Sequence, residues 1–487
     1  MSKLLTITLI LFPFWSFSQK DTVAHLYTFG TVANDVAEDI APTSDGGLII
    51  VGSTAGSGVG NTDIYLLKID SSCNYEWSYA LGGSNNDWGY SVKQTYDSGF
   101  IIAASTNSYG NGGYDAMLMK RDSLGNYQWQ KLYGSDDWDF VYDVVQTYDS
   151  GFVFCGETYN NSNGYSDVFV VKTTALGDTV WTKTIGGNLI DKGNSIIQSR
   201  DSSILVAGVK NTSNDSTQAF VIKLDFNGNI IWTNEYGGIG DDIANSIIET
   251  IDTNFFIVGT TSSFGAAQSD YYTLKITPSG SIIWQQYLSS PLIEVANDVL
   301  ELPNGEFLLV GYTTSFGGGK KDAIIYKLSQ SGAWLGKSAT MGGLEDELAT
   351  SVVVGQNGNM YYSGYTNTFG GGLNDAMVVR VDTLVKQQQF TTSHYSDIIP
   401  ISVREITKNQ SEIAVFPNPA IDKLEVNSTK MPVQLKIFNI YGNLILEEMI
   451  YQPNGSISLK NISQGAYHVV FSTKTEVLKT EKLIILK

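Results

Sequence analysis

The stretch DSGFIIAAST, residues 97–106, places two polar turn residues and a glycine before an unbroken apolar run. Strict alternation would mark a strand with one wet face; consecutive apolar residues mark a short strand covered on both. The unit recurs as DGGLIIVGST from Asp45, DSGFVFCGET from Asp149 and DSSILVAGVK from Asp201. It continues as DTNFFIVGTT from Asp252, NGEFLLVGYT from Asn304 and NGNMYYSGYT from Asn357. Successive copies start 51–53 residues apart, so the chain is a repeat array before it is anything else.

Each copy carries companions. A second apolar strand follows, as in DIYLLKID from Asp63 and DAMLMKRD from Asp115. A third surrounds a tryptophan (Trp77, Trp129, Trp181, Trp232, Trp284 and, displaced, Trp334) and alternates in polarity, as an outer strand should. A fourth precedes the apolar run, as in WGYSVKQT after Asp87. Four short strands per module, buried in the middle and wetter outside, predict an all-β, seven-bladed β-propeller. The seventh module lacks a tryptophan strand. The segment from Ala24 to Phe29 resembles one and is expected to close the last blade, with His25 in the tryptophan position. Closure removes the exposed edge that an open array would leave. A solenoid would need capping repeats instead, and separate fifty-residue sandwiches would be too small to hold a core.

The repeat spacing is close to the kelch-type period. DSLGNYQW (122–129) and DFNGNIIW (225–232) resemble the tryptophan-docking pattern of quinoprotein propellers, in which a turn glycine and a tryptophan lock adjacent blades. The adjacent cysteine pair of those proteins is missing, so the resemblance implies the fold and not the quinone.

Each tryptophan strand leads to a small anchor residue: Gly82, Gly134, Gly186, Gly237, Ser289 and Gly342, with Gly30 in the same series. Five residues later stands an acid: Asp35, Asp87, Asp139, Asp191, Asp242, Glu294 and Glu347. As a ring at a channel mouth these would suit a divalent cation through hard oxygen ligands; as Asx caps they would build each blade. No other cofactor is indicated. Four residues further on, Asp39, Ser91, Asp143, Ser195, Ser246, Asp298 and Ser351 are expected to line the channel. Gly-rich loops from Ser108, Ser263, Ser315 and Thr368 carry Tyr109, Phe264, Phe316 and Phe369, which suit blade stapling or ligand contact. The three histidines, His25, His394 and His468, share no constellation with a nucleophile, and no catalytic residue stands out.

The formal net charge is −19 over 487 residues, which disfavours nucleic acid and anionic membrane as partners. Cys73 and Cys155 fall in different modules and are not expected to pair. The N-terminus reads as a signal peptide over residues 1–18: Lys3, an apolar run from Leu4 to Phe17, and small residues Ser16 and Ser18 before Gln19. No later stretch is apolar enough to span a membrane.

The propeller is read over residues 19–390, a linker over 391–412, and a small β-sandwich over 413–487. The last segment carries Pro417, Asn418 and Pro419 ahead of Leu424 and Val426, a YGN turn around Gly442, and a QGAY turn at Gly465. It resembles the type A C-terminal sorting domain of the type IX secretion system. That resemblance implies a Gram-negative source, Sec-dependent export, engagement of the type IX machinery, and release or attachment at the cell surface. The function expected is a secreted or surface-held propeller that binds a glycan, peptide or adhesion partner. A glycoside hydrolase or lyase using acids at the channel mouth, and a purely structural surface protein, are the alternatives.

Overall fold

The computed structural model describes residues 25–160, 165–212, 216–264, 268–288, 290–381, 391–395, 401–404, 413–416, 420–428, 431–439, 444–473 and 477–486. The first blade is made of β2 (Asp35–Pro42), β3 (Leu48–Thr54), β4 (Asp63–Ile69) and β5 (Tyr75–Gly82), each antiparallel to the next. Five further sheets repeat this order over 87–133, 139–185, 191–236, 242–288 and 294–341, as blades 2 to 6. The last sheet contains Glu347–Val354, Met360–Thr366 and Asp375–Val381, and takes β1 (His25–Phe29) as its fourth antiparallel strand. His25 there faces Arg380, as Trp77 faces Lys68 in blade 1. The seventh sheet then meets the first. Thr350 Oγ1 donates to the Ala37 carbonyl at 3.0 Å, and Ser351 Oγ to Asp39 at 2.8 Å, so the ring is closed.

The two middle strands of every blade are buried almost along their whole length, with β4 buried at all seven positions. Their partners lie in the neighbouring blade: one cluster joins Val51 and Leu66 to Phe100 and Ile102, and another joins Phe29 and Val378 to Ile50 and Tyr65. Outside, the tryptophan of one blade rests on the turn glycine of the next. A Cβ on Gly125 would stand 3.0 Å from the Trp77 ring, and one on Gly177 2.8 Å from Trp129. These turn glycines also adopt φ near +80°, a region that side-chain-bearing residues avoid. The docking expected from DSLGNYQW is therefore present.

Six blades bury a lysine beneath this turn. Lys68, Lys120, Lys172, Lys223, Lys275 and Lys327 reach Asp45, Asp97, Asp149, Asp201, Asp252 and Glu306 at 2.5–3.0 Å. Burial alone would raise the Asp97 carboxyl, but bonds from Thr95, Lys120 and Gly99 together bring it below its ordinary value. Cys73 and Cys155 are both free and buried, in different clusters.

Within the segment read as a linker, Thr391–Tyr395 runs parallel to β1, and Ile401–Arg404 runs parallel to β5, each adding a fifth strand. Beyond them, two sheets enclose one core. Three strands (Ile413–Phe416, Lys423–Ser428, Asn454–Ser458) face four (Leu444–Ile450, Val433–Asn439, Gly465–Ser472, Val477–Ile485) around Leu424, Val426, Leu435, Val469 and Phe471. Among the described residues no helix is long and apolar enough to cross a membrane.

Strand β1 buries Leu26, Tyr27 and Phe29, worth about 2 kcal/mol each by apolar burial. Deleting residues 25–30 is expected to lower the melting temperature and to drive association through the freed edge at Asp375–Val381. Monomeric protein with unchanged melting, by light scattering and calorimetry, would count against closure.

Candidate functional site

Each inner strand begins with one of the seven predicted acids, and the structure buries all of them at 2% exposure or less. They are latches between neighbouring segments. Asp87 accepts the Gly83 amide at 2.8 Å and Ser108 Oγ at 2.7 Å, together with Thr106 Oγ1. Asp242 repeats this with Gly238, Ser263 and Thr261, and Glu347 with Gly343 and Thr366. Asp35 takes the Thr31 amide at 2.6 Å, Asp139 that of Ser135 at 2.8 Å, and Asp191 that of Gly187 at 2.6 Å; Glu294 takes Thr313 Oγ1 at 3.0 Å. The expected single ring at the channel mouth is thus distributed over the blade junctions, one acid to each.

Three residues after the acid, every inner strand carries a bulge, with Glu38, Tyr90, Tyr142, Asn194, Asn245, Asn297 and Thr350 as the extra residues. Bulges re-aim side chains, and these line a central cavity of about 380 Å³. The next residue builds a belt across it. Ser91 Oγ lies 3.0 Å from Asp39 and 2.8 Å from Asp143; Ser351 Oγ lies 2.8 Å from Asp39 and 3.1 Å from Asp298; Ser246 Oγ lies 2.7 Å from Asp298. Backbone amides of Val92, Ile196 and Val352 donate to the same three aspartates. Lys93 supplies the cation, at 2.5 Å from Asp39 and 3.8 Å from Asp143. Burial alone would lower Lys93, but Asp39 and Asp143 hold it above its ordinary value. Burial, with Asp39 adding to it, pushes Asp298 up to about 6 against bonds from Val352 and Ser246. Burial and then Asp39 push Glu38 up to about 7.

The bulge residues break the symmetry. Asn194, Asn245 and Asn297 spend their amides on the carbonyls of Ala244, Ala296 and Ala349 at 2.8–2.9 Å, and Thr350 bonds Ala37. Blades 2 and 3 instead present tyrosines, with Tyr90 edge-on to Tyr142 at 5.3 Å. From there an aromatic terrace runs outward over one face of these two blades. Tyr142 lies parallel to Phe140, Phe140 lies 5.3 Å from Tyr114, and Tyr114 stacks on Trp88 at 5.1 Å. Trp138 stands edge-on to Tyr114 at 5.9 Å and 6.0 Å from Tyr159, and is 51% exposed. The positions of Trp88 and Phe140 hold Val36, Lys192, Ile243, Val295 and Leu348 in the other blades. The terrace is anchored at Tyr142, whose hydroxyl donates to Glu157 at 2.5 Å, while Ser166 donates to the other oxygen of Glu157 at 2.8 Å.

The sequence reading missed this terrace. Its signal lies in lining up the seven inner strands, where aromatics occupy two positions in repeats 2 and 3 alone. Of the loop aromatics it did single out, the Tyr109 hydroxyl bonds the Gly82 carbonyl of the preceding blade at 2.8 Å as a staple, Phe264 stacks on Tyr287 of its own blade, and Phe316 is exposed. In the C-terminal unit Gly465 opens a strand with φ +155°; Pro417, Asn418, Pro419 and Gly442 lie outside the described residues.

Glu38 is more acidic unfolded, near 4.5, than folded, near 7. The folded state therefore binds the extra proton, and its stability falls as pH rises through that window. The Glu38→Gln variant is expected to melt above the parent at pH 8 and with it near pH 4.5, by calorimetry across pH. Parallel curves would show that Glu38 carries no such penalty.

Comparison with known proteins falls into three parts. Residues 414–486 match the family model described as the secretion system C-terminal sorting domain. No curated protein matches the chain. Among solved structures, the extracellular domain of a hybrid two-component system from B. thetaiotaomicron aligns at 11% identity and TM-score 0.43. That alignment covers 95% of this chain and 57% of the other, so the chain spans little more than half the length of that relative. The Neurospora crassa Pan2 WD40 domain aligns at 13% identity and TM-score 0.44, over 73% of this chain and 91% of the other. PorZ, a bacterial surface component of the type-IX secretion system of Porphyromonas gingivalis, aligns at 11% identity and TM-score 0.29, over 93% and 81%. The propeller assignment stands on the sheet order above. The ring of sheets and the matched tail together mark the chain as an exported β-propeller protein with a C-terminal sorting domain of the type IX kind.

Proposed function

We propose that this exported propeller is a glycan-binding protein of the bacterial surface or its surroundings, and that the aromatic terrace of blades 2 and 3 is its binding face. The observation that carries the reading is the asymmetry. A fold that repeats one blade seven times needs nothing aromatic at Trp88, Tyr114, Trp138 and Phe140, and only these two blades have it. Sugar rings offer flat C–H faces edged with hydroxyls. Half-exposed aromatic rings cover the faces, and the polar edges here include Asp136 and Asp137, exposed beside Trp138. The terrace descends to the channel at Tyr90 and Tyr142, where a chain end would find Glu38. Glu38, raised to about 7 beside Asp39, favours hydrolysis as a second reading. Release of the mature protein beyond the outer membrane is the natural setting for such binding, and the sorting tail supports it.

Glycan-array screening of the full mature chain, followed by titration of the best hit, tests the reading. Trp138→Ala is expected to weaken binding roughly tenfold, about 1.4 kcal/mol, with unchanged melting because the side chain is half exposed. Trp284→Ala, on the far side of the ring, should bind as the parent does. Equal affinity of all three proteins, or no glycan bound, would overturn the assignment; shortened glycan products would favour the hydrolytic reading.

The tail is tested separately. Residues 413–487 fused to a periplasmic reporter should carry it to the medium or cell surface in a host with a working type IX system. Retention in the periplasm would contradict the export route.

A further inference from the structure

We propose that the blade junctions hold divalent cations of calcium size between paired carboxylates. At five junctions the acid that opens the inner strand meets a second one, which opens the third strand of the preceding blade. Asp63 and Asp87 both press on Gly82, where a Cβ would collide with an oxygen of each. At Gly30, a Cβ would stand 2.6 Å from Asp375 and 2.9 Å from Asp35. Asp167 and Asp191 crowd Gly186 in the same way. Asp115 with Asp139 and Asp270 with Glu294 hold the same register positions at their own junctions.

In three of these second acids one carboxylate oxygen takes no hydrogen bond from the protein. Asp63, Asp115 and Asp270 are at most 5% exposed, and Asp63 Oδ1, Asp115 Oδ2 and Asp270 Oδ2 accept no hydrogen bond. Asp63 Oδ2 takes the Val59 and Gly60 amides at 3.0 Å, while Oδ1 is the oxygen turned towards Gly82 and Asp87. Two like charges in a dry junction, one with an idle oxygen, demand a counter-charge.

One junction shows what kind of group is wanted. At blade 4 the third-strand position is Gln218 in place of Asp. Its Nε2 donates to the carbonyls of Gly238 at 3.1 Å and Gly240 at 3.2 Å. The protein thus carries a donor amide at the register position where the other junctions carry a carboxylate. By register, the carbonyls corresponding to Gly238 and Gly240 are those of Gly83 and Asn85 at the Asp63 junction. A cation there would draw on two carboxylates and backbone carbonyls, a hard-oxygen set that suits calcium better than the stricter magnesium. Among the described residues no three His, Cys, Asp or Glu side chains gather at one point, so backbone oxygen must complete each site.

Equilibrium dialysis of the chelator-treated full chain against calcium, at pH 7.5 and about 0.15 M salt to screen loose surface binding, should find more than one ion per chain. Calcium should raise the melting temperature by several degrees over the chelated protein. Asp63→Gln copies the Gln218 junction and is expected to fold and to bind one calcium fewer. Should that variant not fold, the parent's stoichiometry and calcium-dependent melting still decide. No bound calcium with unchanged melting would overturn the proposal and leave protons as the counter-charge, as would full stoichiometry in Asp63→Gln. None of these readings depends on the glycan site.

Discussion

The middle strands of this protein have no wet face. Val51, Leu66, Phe100 and Ile102 lie fully covered in one cluster that belongs to two blades, so neither blade is complete alone. A strand that must be buried on both sides can be satisfied by a copy of itself on each side, and a row of copies ends only when it meets its own beginning. The ring, the shared last sheet and the central channel follow from that one requirement. So does the need for latches at the seams, because sliding of one sheet on the next would expose the same apolar surface. The buried aspartates and the tryptophan-on-glycine contacts latch the seams, and the sunken lysines pin the turns within each blade.

This division of labour explains why so little of the molecule is free to carry function. Most polar side chains near the axis are committed. Asn194, Asn245 and Asn297 tie bulges to the following blade, and the aspartates of the belt are tied to serines, amides and Lys93. What remains uncommitted is the face of blades 2 and 3, where Tyr90 and Tyr142 replace the bulge amides and Trp88, Tyr114 and Trp138 spread away from the axis. A repeat protein can give one sector to a ligand because its neighbours keep the ring together.

Much of this was legible in the sequence. The consecutive apolar residues of DSGFIIAAST implied buried strands, the period implied blades, and the likeness of AHLYTF to QWQKLY placed β1 beside Asp375–Val381. Residues four beyond each acid were expected in the channel, and Asp39, Asp143 and Asp298 are there. The acids were read either as a ring at the channel mouth or as turn caps that build each blade, and they lie in the junctions, accepting the amides of the turns before them. A bulge separates Asp35 from Asp39, and a count along the strand does not show that the backbone changes its aim between them. The terrace escaped for a different reason. Reading a repeat favours what the copies share, whereas Trp138 and Tyr114 matter because the other copies lack them. The strands at Thr391–Tyr395 and Ile401–Arg404 escaped because each is short and is paired only by a distant edge.

Strand β1 has one further consequence. The earliest-made residues of the ring pair with the latest-made ones, His25 with Arg380 and Phe29 with Ala376. The seventh sheet therefore holds only its outer strand until residues 347–381 have been made, and the loop that must close is nearly the whole domain. A partly made chain keeps β1 without its antiparallel partner until the far end of the ring is made. Closure of the circle thus waits on the whole of the ring, and a shortened chain stays open.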